Sequence, residues 1–226
     1  MAGRSDYAFS AYETLKWEIV TGQRRPGSVF EEKVFAEQIG VSRTPVREAV
    51  IRLARERLLE VVPRRGTFVS EISMEDIRQI YEMRRILEPQ IVEIAAEKAD
   101  RKRMETWRAY FERVKAGEEM LIASAPLPDS DAAFHLFLAE STGNRFIREQ
   151  METLMTQTQR IRCLSNRWKE TRQQASVEEH LEMIRDMLEG DTDAAKEAAV
   201  RHLNNSEEGY RMMAASGYLS DLRVFR

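Results

Sequence analysis

Cysteine is nearly absent from this sequence of 226 residues, because Cys163 is the only one. A single cysteine cannot form a disulfide within the chain, and no activating motif surrounds it, so we interpret it as a packing residue. No apolar run approaches the roughly 20 residues that cross a bilayer. The N-terminus also lacks the apolar segment of a secretory signal. We therefore expect a cytoplasmic protein with no membrane role.

Net charge is also small, at −3, and does not by itself indicate a nucleic-acid partner. The positive charge is concentrated, however, since residues 43–65 contain seven arginines against three glutamates. The hydrophobic content of 42% and the charged content of 32% are typical of a globular protein. The length is sufficient for two small domains.

The N-terminal part predicts a winged helix-turn-helix domain over residues 1–72. Apolar residues recur at helical spacing in residues 8–21 and 31–40, and a Pro26-Gly27 turn separates them. A third helix is predicted over residues 44–58, with an apolar stripe that leaves Arg43 and Arg47 outside it. Residues 58–72 alternate around a Pro-Arg-Arg-Gly turn, which predicts a β-hairpin.

The remainder predicts an all-α antiparallel bundle over residues 77–226, after a linker at about 73–76. Strand patterns nearly disappear beyond residue 73, and no internal repeat is found. Six helical patterns follow one another, at about residues 74–98, 101–123, 129–140, 144–163, 174–189 and 192–214.

The start of the third helix has the chemistry of a DNA-reading element. Thr44 is predicted as its N-cap with Pro45 at the first helical position, and Ser42 is the alternative cap. Arginine side chains such as Arg43 and Arg47 can bind guanine in the major groove, and hydroxyls can hold phosphates. The alternative is an ordinary surface helix with solvated arginines. Arg65 and Gly66 at the hairpin tip suit a wing near the DNA backbone or the minor groove.

The chain has three histidines, and all of them fall on apolar stripes of the predicted bundle. An Asp/His pair at i, i+4 on one helix and one histidine from each of two others can surround a divalent ion. Zinc is the first expectation, with nickel or manganese as alternatives. The competing interpretation is three separately hydrogen-bonded core histidines. The four predicted ligands are Asp131, His135, His180 and His202.

The N-terminal sequence resembles the DNA-binding domain of the GntR family of bacterial transcriptional regulators. The similarity lies in "PG", "AEQIGVSRTPVREA" and the "RRG" of the hairpin. Two positions depart from the family pattern, because Phe30 replaces a leucine and Arg57 replaces a glycine. The resemblance implies DNA contacts at positions matching Lys33, Arg43, Thr44, Arg47 and Gly66.

The second half resembles the FCD ligand-sensing domain of FadR-like GntR regulators, through "IYEMRRILEPQIVEIAAEKA", "DAAFHLFLAESTGN", "EEHLEMIRDMLEGD" and "AVRHL". The resemblance places metal ligands at Asp131, His135, His180 and His202. Six helical patterns rather than seven favour the VanR-like subgroup.

The resemblance also implies a small carboxylate effector beside the ion, bound by Arg84. This arginine lies on an apolar stripe, so its charge needs a partner. An internal salt bridge with Glu88 is the alternative explanation. Asn144 is a weaker effector-binding candidate, because capping a helix explains it equally well.

We therefore expect a homodimeric, effector-responsive regulator, acting as a repressor, whose two recognition helices bind a pseudo-palindromic operator in double-stranded DNA. A metal-responsive regulator is the first alternative. A metalloenzyme with a DNA-binding module is the second, but Glu140, the general base within reach, lies off the ligand stripe. We expect no enzymatic activity.

Overall fold

In the computed structural model of the protein, residues 4–118, 129–165 and 172–215 are described. They form two compact units, and the division falls between residues 73 and 74. The first unit combines helices with a small sheet, and every described element of the second is a helix. The predicted fold class is thus confirmed. No helix in the described ranges is long and apolar enough to cross a membrane.

The described part of the first unit contains three helices and three short strands. They are α1 (Arg4–Val20), β1 (Val29–Phe30), α2 (Glu32–Ile39), α3 (Arg43–Arg55), β2 (Leu59–Val62) and β3 (Gly66–Val69). The strands form an antiparallel sheet in the order β1-β3-β2, so the predicted hairpin is present. Strand β1 was not predicted, because an alternating pattern cannot be recognised in two residues.

Helix α3 packs through the apolar stripe that its sequence predicts. The four stripe residues are at most 3% exposed and share one core with Leu15 and Ile19 of α1. Full burial of one large aliphatic side chain contributes about 1.5–3 kcal/mol. The stripe therefore determines which face of α3 is turned to solvent. Its members are Val46, Ala49, Val50 and Leu53.

Phe30, which departs from the family pattern, is accommodated in the same core. Its side chain is 3% exposed, and its ring centroid lies 5.5 Å from that of Phe35. The Arg24 guanidinium lies 5.2 Å from the Phe30 centroid and 5.0 Å from the Phe35 centroid, so it stacks on both aromatic residues.

The start of α3 corrects one prediction. Ser42, not Thr44, is the N-cap, because Ser42 has an extended backbone while Arg43 is already helical. Pro45 is consequently the third helical residue rather than the first. It is tolerated there because the first backbone N–H groups of a helix have no partner within the helix.

The end of α3 also differs from its prediction, since the helix ends at Arg55 rather than at residue 58. Arg57 has a φ of 59°, a left-handed conformation that favours glycine. The chain thus keeps a glycine-like backbone at this position with an arginine side chain. For a residue other than glycine this conformation costs about 1–2 kcal/mol.

The second unit contains six helices among its described residues. They are α4 (Met74–Lys98), α5 (Arg101–Lys115), α6 (Ser130–Ser141), α7 (Arg145–Leu164), α8 (Gln173–Glu189) and α9 (Thr192–Ala215). Helix α4 begins within the predicted linker and continues through Pro89 without a break. The helix count covers the described ranges only, so the VanR-like subgroup stays a prediction.

Helix α5 ends eight residues earlier than predicted. Ala116 caps the helix, and Gly117 follows with a φ of 76°, the left-handed conformation that commonly ends a helix. Residues 119–123, which the prediction included, lie outside the described ranges.

Four helices of the second unit surround its centre. Helix α9 packs on α4 and α8, and α4 also packs on α6. Trp107 and Phe111 of α5 stack on each other and lie edge to face against Phe134 of α6, which extends the core to α5. Because the ring of Phe111 also lies 4.9 Å from that of His180, this core borders the polar cluster described below.

Candidate DNA-binding and metal sites

The first turns of α3 present three of the predicted DNA-contacting residues to solvent. Arg43, Thr44 and Arg47 are all exposed, and 76% of the Arg47 side chain is accessible. The Arg47 Nε lies 3.8 Å from a Glu32 carboxylate oxygen. An exposed ion pair of this length contributes only about 0–1 kcal/mol. The guanidinium is therefore available to another partner.

The remaining predicted DNA contacts also lie on the surface of the first unit. Lys33 of α2 is 66% exposed, and its Nζ is 3.9 Å from Glu37. Arg65 and Gly66 are exposed where β3 begins. Gly66 has a φ of 116°, and no heavy atom lies within 4 Å of the point that a Cβ would occupy. Backbone conformation rather than lack of space therefore requires glycine there.

The four predicted metal ligands come together inside the second unit. Helix α6 contributes Asp131 and His135, one turn apart, while His180 comes from α8 and His202 from α9. All four are buried, and one ligand atom from each lies within 4.8 Å of those of the others.

Ligand spacing in this cluster suits a divalent ion. The Nε2 atom of His180 lies 3.2 Å from the Nε2 atom of His135 and 3.6 Å from an Asp131 carboxylate oxygen. Bonds of about 2.0–2.1 Å in a tetrahedral zinc site separate two ligand atoms by about 3.3 Å. The imidazoles thus face one another rather than separate partners in the core, and the cluster can hold an ion.

Two carboxylates outside the cluster orient its imidazoles. Glu88 of α4 lies 3.0 Å from Nδ1 of His135, and Glu179 of α8 lies 2.9 Å from Nδ1 of His202. A proton on each Nδ1 leaves Nε2 with a free lone pair towards the centre. Carboxylate–histidine pairs of this kind are typical of protein metal sites.

Protonation states in the cluster also suit a cation. Burial lowers the pKa of His180 well below its usual value, and the neighbouring His202 lowers it further. Burial likewise lowers the pKa of His202, although Glu179 opposes that shift. Burial raises the pKa of Asp131, but the neighbouring charge of Arg162 opposes this shift, and the pKa lies well below its usual range. Neutral imidazoles and an ionised carboxylate are the forms that bind metal.

Arg84 is buried next to the cluster and is linked to it through Glu88. Its side chain is 1% exposed, and its Nε donates a 2.5 Å hydrogen bond to the Glu88 oxygen not used by His135. The internal salt bridge that was the alternative explanation for Arg84 is therefore present. It leaves Nη2 of Arg84 buried without a hydrogen-bond partner in the described structure. Arg84 consequently retains one donor for a further acceptor.

Two other residues considered from the sequence lie outside this cluster. The side-chain oxygen of Asn144 accepts hydrogen bonds from the backbone N–H groups of Phe146 and Ile147, so Asn144 caps α7. Its role in effector binding stays a prediction, and the capping alternative describes the contacts that are present. Glu140 is 55% exposed and pairs with Arg103 at 3.3 Å.

Sequence reasoning missed two charged residues that shape the site, Glu179 and Arg162. Glu179 precedes His180 and lies off the apolar stripe, so no helical pattern selected it. Arg162 of α7 donates hydrogen bonds to Asp131 and, at 2.9 Å, to Asp129. No spacing rule links residues about 30 positions apart, and only packing of α7 against α6 brings them together.

Comparison with known families identifies both units. A profile described as "Bacterial regulatory proteins, gntR family" matches residues 8–69, and the FCD domain profile matches residues 79–205. The chain belongs to the GntR family and carries an FCD domain. Such proteins are bacterial transcriptional regulators that bind DNA through the helix-turn-helix domain. The GntR match contains every predicted DNA contact, and the FCD match contains the four predicted metal ligands.

Curated relatives of this GntR regulator extend over almost its whole length. The transcriptional regulator LutR of Bacillus subtilis is 28% identical over 90% of this chain and 98% of its own. The transcriptional repressor RspR of Escherichia coli is 27% identical over 89% of this chain and 88% of its own. Because these relatives and the gntR profile are described as regulators, the chain is a transcriptional regulator and not an enzyme.

Solved structures show the same fold. A GntR regulator from Rhodococcus sp. RHA1 superposes with a TM-score of 0.73 at 23% identity, covering 92% of this chain and 98% of its own. McbR/YncC of E. coli superposes with a TM-score of 0.72 at 19% identity, covering 96% of this chain and 99% of its own.

Proposed function

We propose that this GntR regulator binds a specific operator through the N-terminal end of α3. Arg43 and Arg47 supply the base contacts, because an arginine can bind guanine O6 and N7 bidentately in the major groove. Thr44, Lys33 and the hairpin-tip residues Arg65 and Gly66 supply contacts to the DNA backbone. The exposure of Arg43 and Arg47 beside a buried apolar stripe supports this assignment.

We further propose that the FCD domain holds a divalent ion at Asp131, His135, His180 and His202. The single observation that carries this proposal is the buried cluster of three imidazoles and one carboxylate, with ligand atoms within 4.8 Å of one another. Zinc suits these ligands first, and nickel or manganese are alternatives.

The signal in this proposal is a small carboxylic acid. When bound, the ion would supply a positive charge for the effector's carboxylate, and Arg84 would donate a hydrogen bond to that carboxylate from Nη2. Glu88 holds Arg84 and His135 at the same time, so it keeps the effector-binding arginine next to the metal ligands. A fixed guanidinium is well suited to carboxylate recognition, because its donors are planar and always charged.

Effector binding then changes DNA affinity by favouring one conformation of the bundle over another. A homodimer presents two copies of α3 to a pseudo-palindromic operator. The relative RspR is named a repressor, which supports repression as the direction of control.

The direct test measures metal binding and DNA binding in the same preparation. Protein purified without chelator is assayed for bound metal, and His180→Ala serves as the variant that cannot complete the site. We expect about one divalent ion per chain in the wild-type protein and a large loss in the variant. Absence of bound metal, and of any rise in Tm on adding Zn²⁺, would contradict the proposal.

A second candidate is a regulator for which the ion itself is the signal. The same buried ligand cluster supports it, since occupancy of the cluster alone can change the bundle. Chelation followed by gel-shift titration separates the two. Loss or gain of operator affinity on chelation, with an intact fold and no carboxylate present, favours metal sensing.

A further inference from the structure

Arg162 is a second arginine beside the metal cluster, and it is largely shielded from solvent. Its side chain is 10% exposed, and it reaches from α7 to the start of α6. Nη1 donates a hydrogen bond to the Asp131 carboxylate, and Nη2 donates one to Asp129 at 2.9 Å. Its Nε is buried without a hydrogen-bond partner among the described atoms. Arg162 therefore has an unused donor next to a metal ligand.

Arg84 and Arg162 belong to one polar cluster. The Arg84 guanidinium lies 5.0 Å from the centroid of the Tyr81 ring, and both Arg84 and Arg162 act electrostatically on the Tyr81 hydroxyl. The Tyr81 ring packs at 5.9 Å against that of Tyr210, on which Arg162 also acts. The unused Arg84 Nη2 and Arg162 Nε thus lie on the same buried cluster as the metal ligands.

The charges around the cluster favour entry of an anion together with the metal ion. Arg84 and Arg162 carry two positive charges, which Glu88 and Asp131 neutralise. A divalent ion therefore adds two uncompensated positive charges, or one where Asp129 is also ionised. Uncompensated buried charge is costly, and an anion that enters with the ion removes this cost.

We propose that Arg162 is a second effector-binding residue, which opposes the metal ion alone and binds the effector's carboxylate when the ion is present. This inference rests on the proposed metal site and specifies its effector as an anion of one or two negative charges. The guanidinium repels a nearby divalent cation, so it weakens metal binding by itself. An anion that lies between the guanidinium and the metal ion attracts both of them. Metal binding and effector binding then strengthen each other.

The competing explanation is purely structural, with Arg162 serving only to hold α7 on the start of α6. The two explanations predict opposite changes in metal affinity when Arg162 is replaced. A structural residue that supports Asp131 lowers metal affinity when it is replaced. A residue that opposes the ion raises metal affinity when its charge is removed.

The test measures Zn²⁺ affinity by competition with a chelating dye, with and without acetate, malonate or citrate, in the full-length protein. In the wild-type protein we expect at least one of these acids to tighten Zn²⁺ binding about fivefold or more. Arg162→Gln should bind Zn²⁺ alone about tenfold more tightly and lose most of the tightening by the acid. The control is Arg148→Gln, which removes an exposed arginine of the same helix and should change neither quantity.

Arg162→Lys provides the second variant, because it keeps the charge and removes the planar donors. It should bind Zn²⁺ alone within about twofold of the wild-type affinity, with reduced tightening by the acid. If thermal melting shows that Arg162→Gln does not fold, Arg162→Lys alone decides whether Arg162 binds the effector. Full tightening in Arg162→Lys, or weaker Zn²⁺ binding by a folded Arg162→Gln, overturns the role of Arg162 and leaves the metal site intact. A wild-type protein without Zn²⁺ binding, or without tightening by any of the acids, overturns the proposed function as well.

Discussion

At the scale of single residues, the buried Asp/His cluster of the proposed metal site depends on side chains that do not belong to it. His202 is oriented by Glu179, which is itself held by Arg172 at 2.8 Å and by Asn205 at 2.9 Å. These contacts, together with His202, lower the pKa of Glu179 to about 2 although burial raises it. The carboxylate is thus ionised and in place at neutral pH.

Replacing Glu179 tests this support. We expect Glu179→Gln to lower metal affinity about 10–100-fold, because the amide is a weaker acceptor for the Nδ1–H of His202. Dye competition with Zn²⁺ measures the affinity. Glu182→Gln is the matched control, since Glu182 lies on the same helix and is 41% exposed. Equal affinities of the two variants would contradict the support role of Glu179.

Arg47 is the residue on which base recognition depends in our proposal. We expect Arg47→Ala to lose about 1–3 kcal/mol of operator affinity and to relax base preference at one position of each half-site. Gel-shift titration with the operator and with single-base variants measures both effects. Arg55→Ala, an exposed residue at the other end of α3, should keep the base preference unchanged. An unchanged titration for Arg47→Ala would rule out its role in recognition.

At the scale of elements, the junction between α3 and β2 is strained. Arg57 lies in the left-handed region with a φ of 59°. The strain is tolerated because Leu58, the next residue, is fully buried and its N–H donates to Leu53 at 2.9 Å. Burial of Leu58 thus stabilises a turn that the Arg57 side chain disfavours.

Relieving that strain should stabilise the helix-turn-helix domain. We expect Arg57→Gly to raise the free energy of unfolding by about 1 kcal/mol, since relief of the left-handed strain exceeds the added entropy of the unfolded chain. Urea denaturation followed by circular dichroism measures this change. Arg55→Gly, two residues earlier and helical, should instead lower stability by about 1 kcal/mol. If Arg57→Gly and Arg55→Gly both lower the free energy of unfolding, the backbone at Arg57 is not strained.

At the scale of the whole molecule, burying neutral histidines makes stability depend on pH. Burial lowers the pKa of His180 and His202 in the folded state below the usual value of 6.5. Below that pH the unfolded chain binds protons that the folded chain does not. Stability is therefore complete above about pH 6.5 and decreases as the pH falls.

Thermal melting of metal-free protein checks this dependence. We expect Tm to fall as the pH is lowered from 7.5 to 5.5, because protonation of the two imidazoles favours the unfolded chain. His180→Phe should show a shallower dependence, since it removes one titrating group beside Phe111 and Phe134. An identical slope for the variant and the wild-type protein would contradict the contribution of His180.

The sequence by itself determined the fold class, the exposed arginines of α3 and the four members of the buried Asp/His cluster. These features follow from helical periodicity and short motifs, which act within one element. Tertiary structure alone decided which charged groups surround the ligands. Glu179 reaches His202 across two helices, and Arg162 reaches Asp131 from a third, because helix packing brings together residues that no sequence spacing relates.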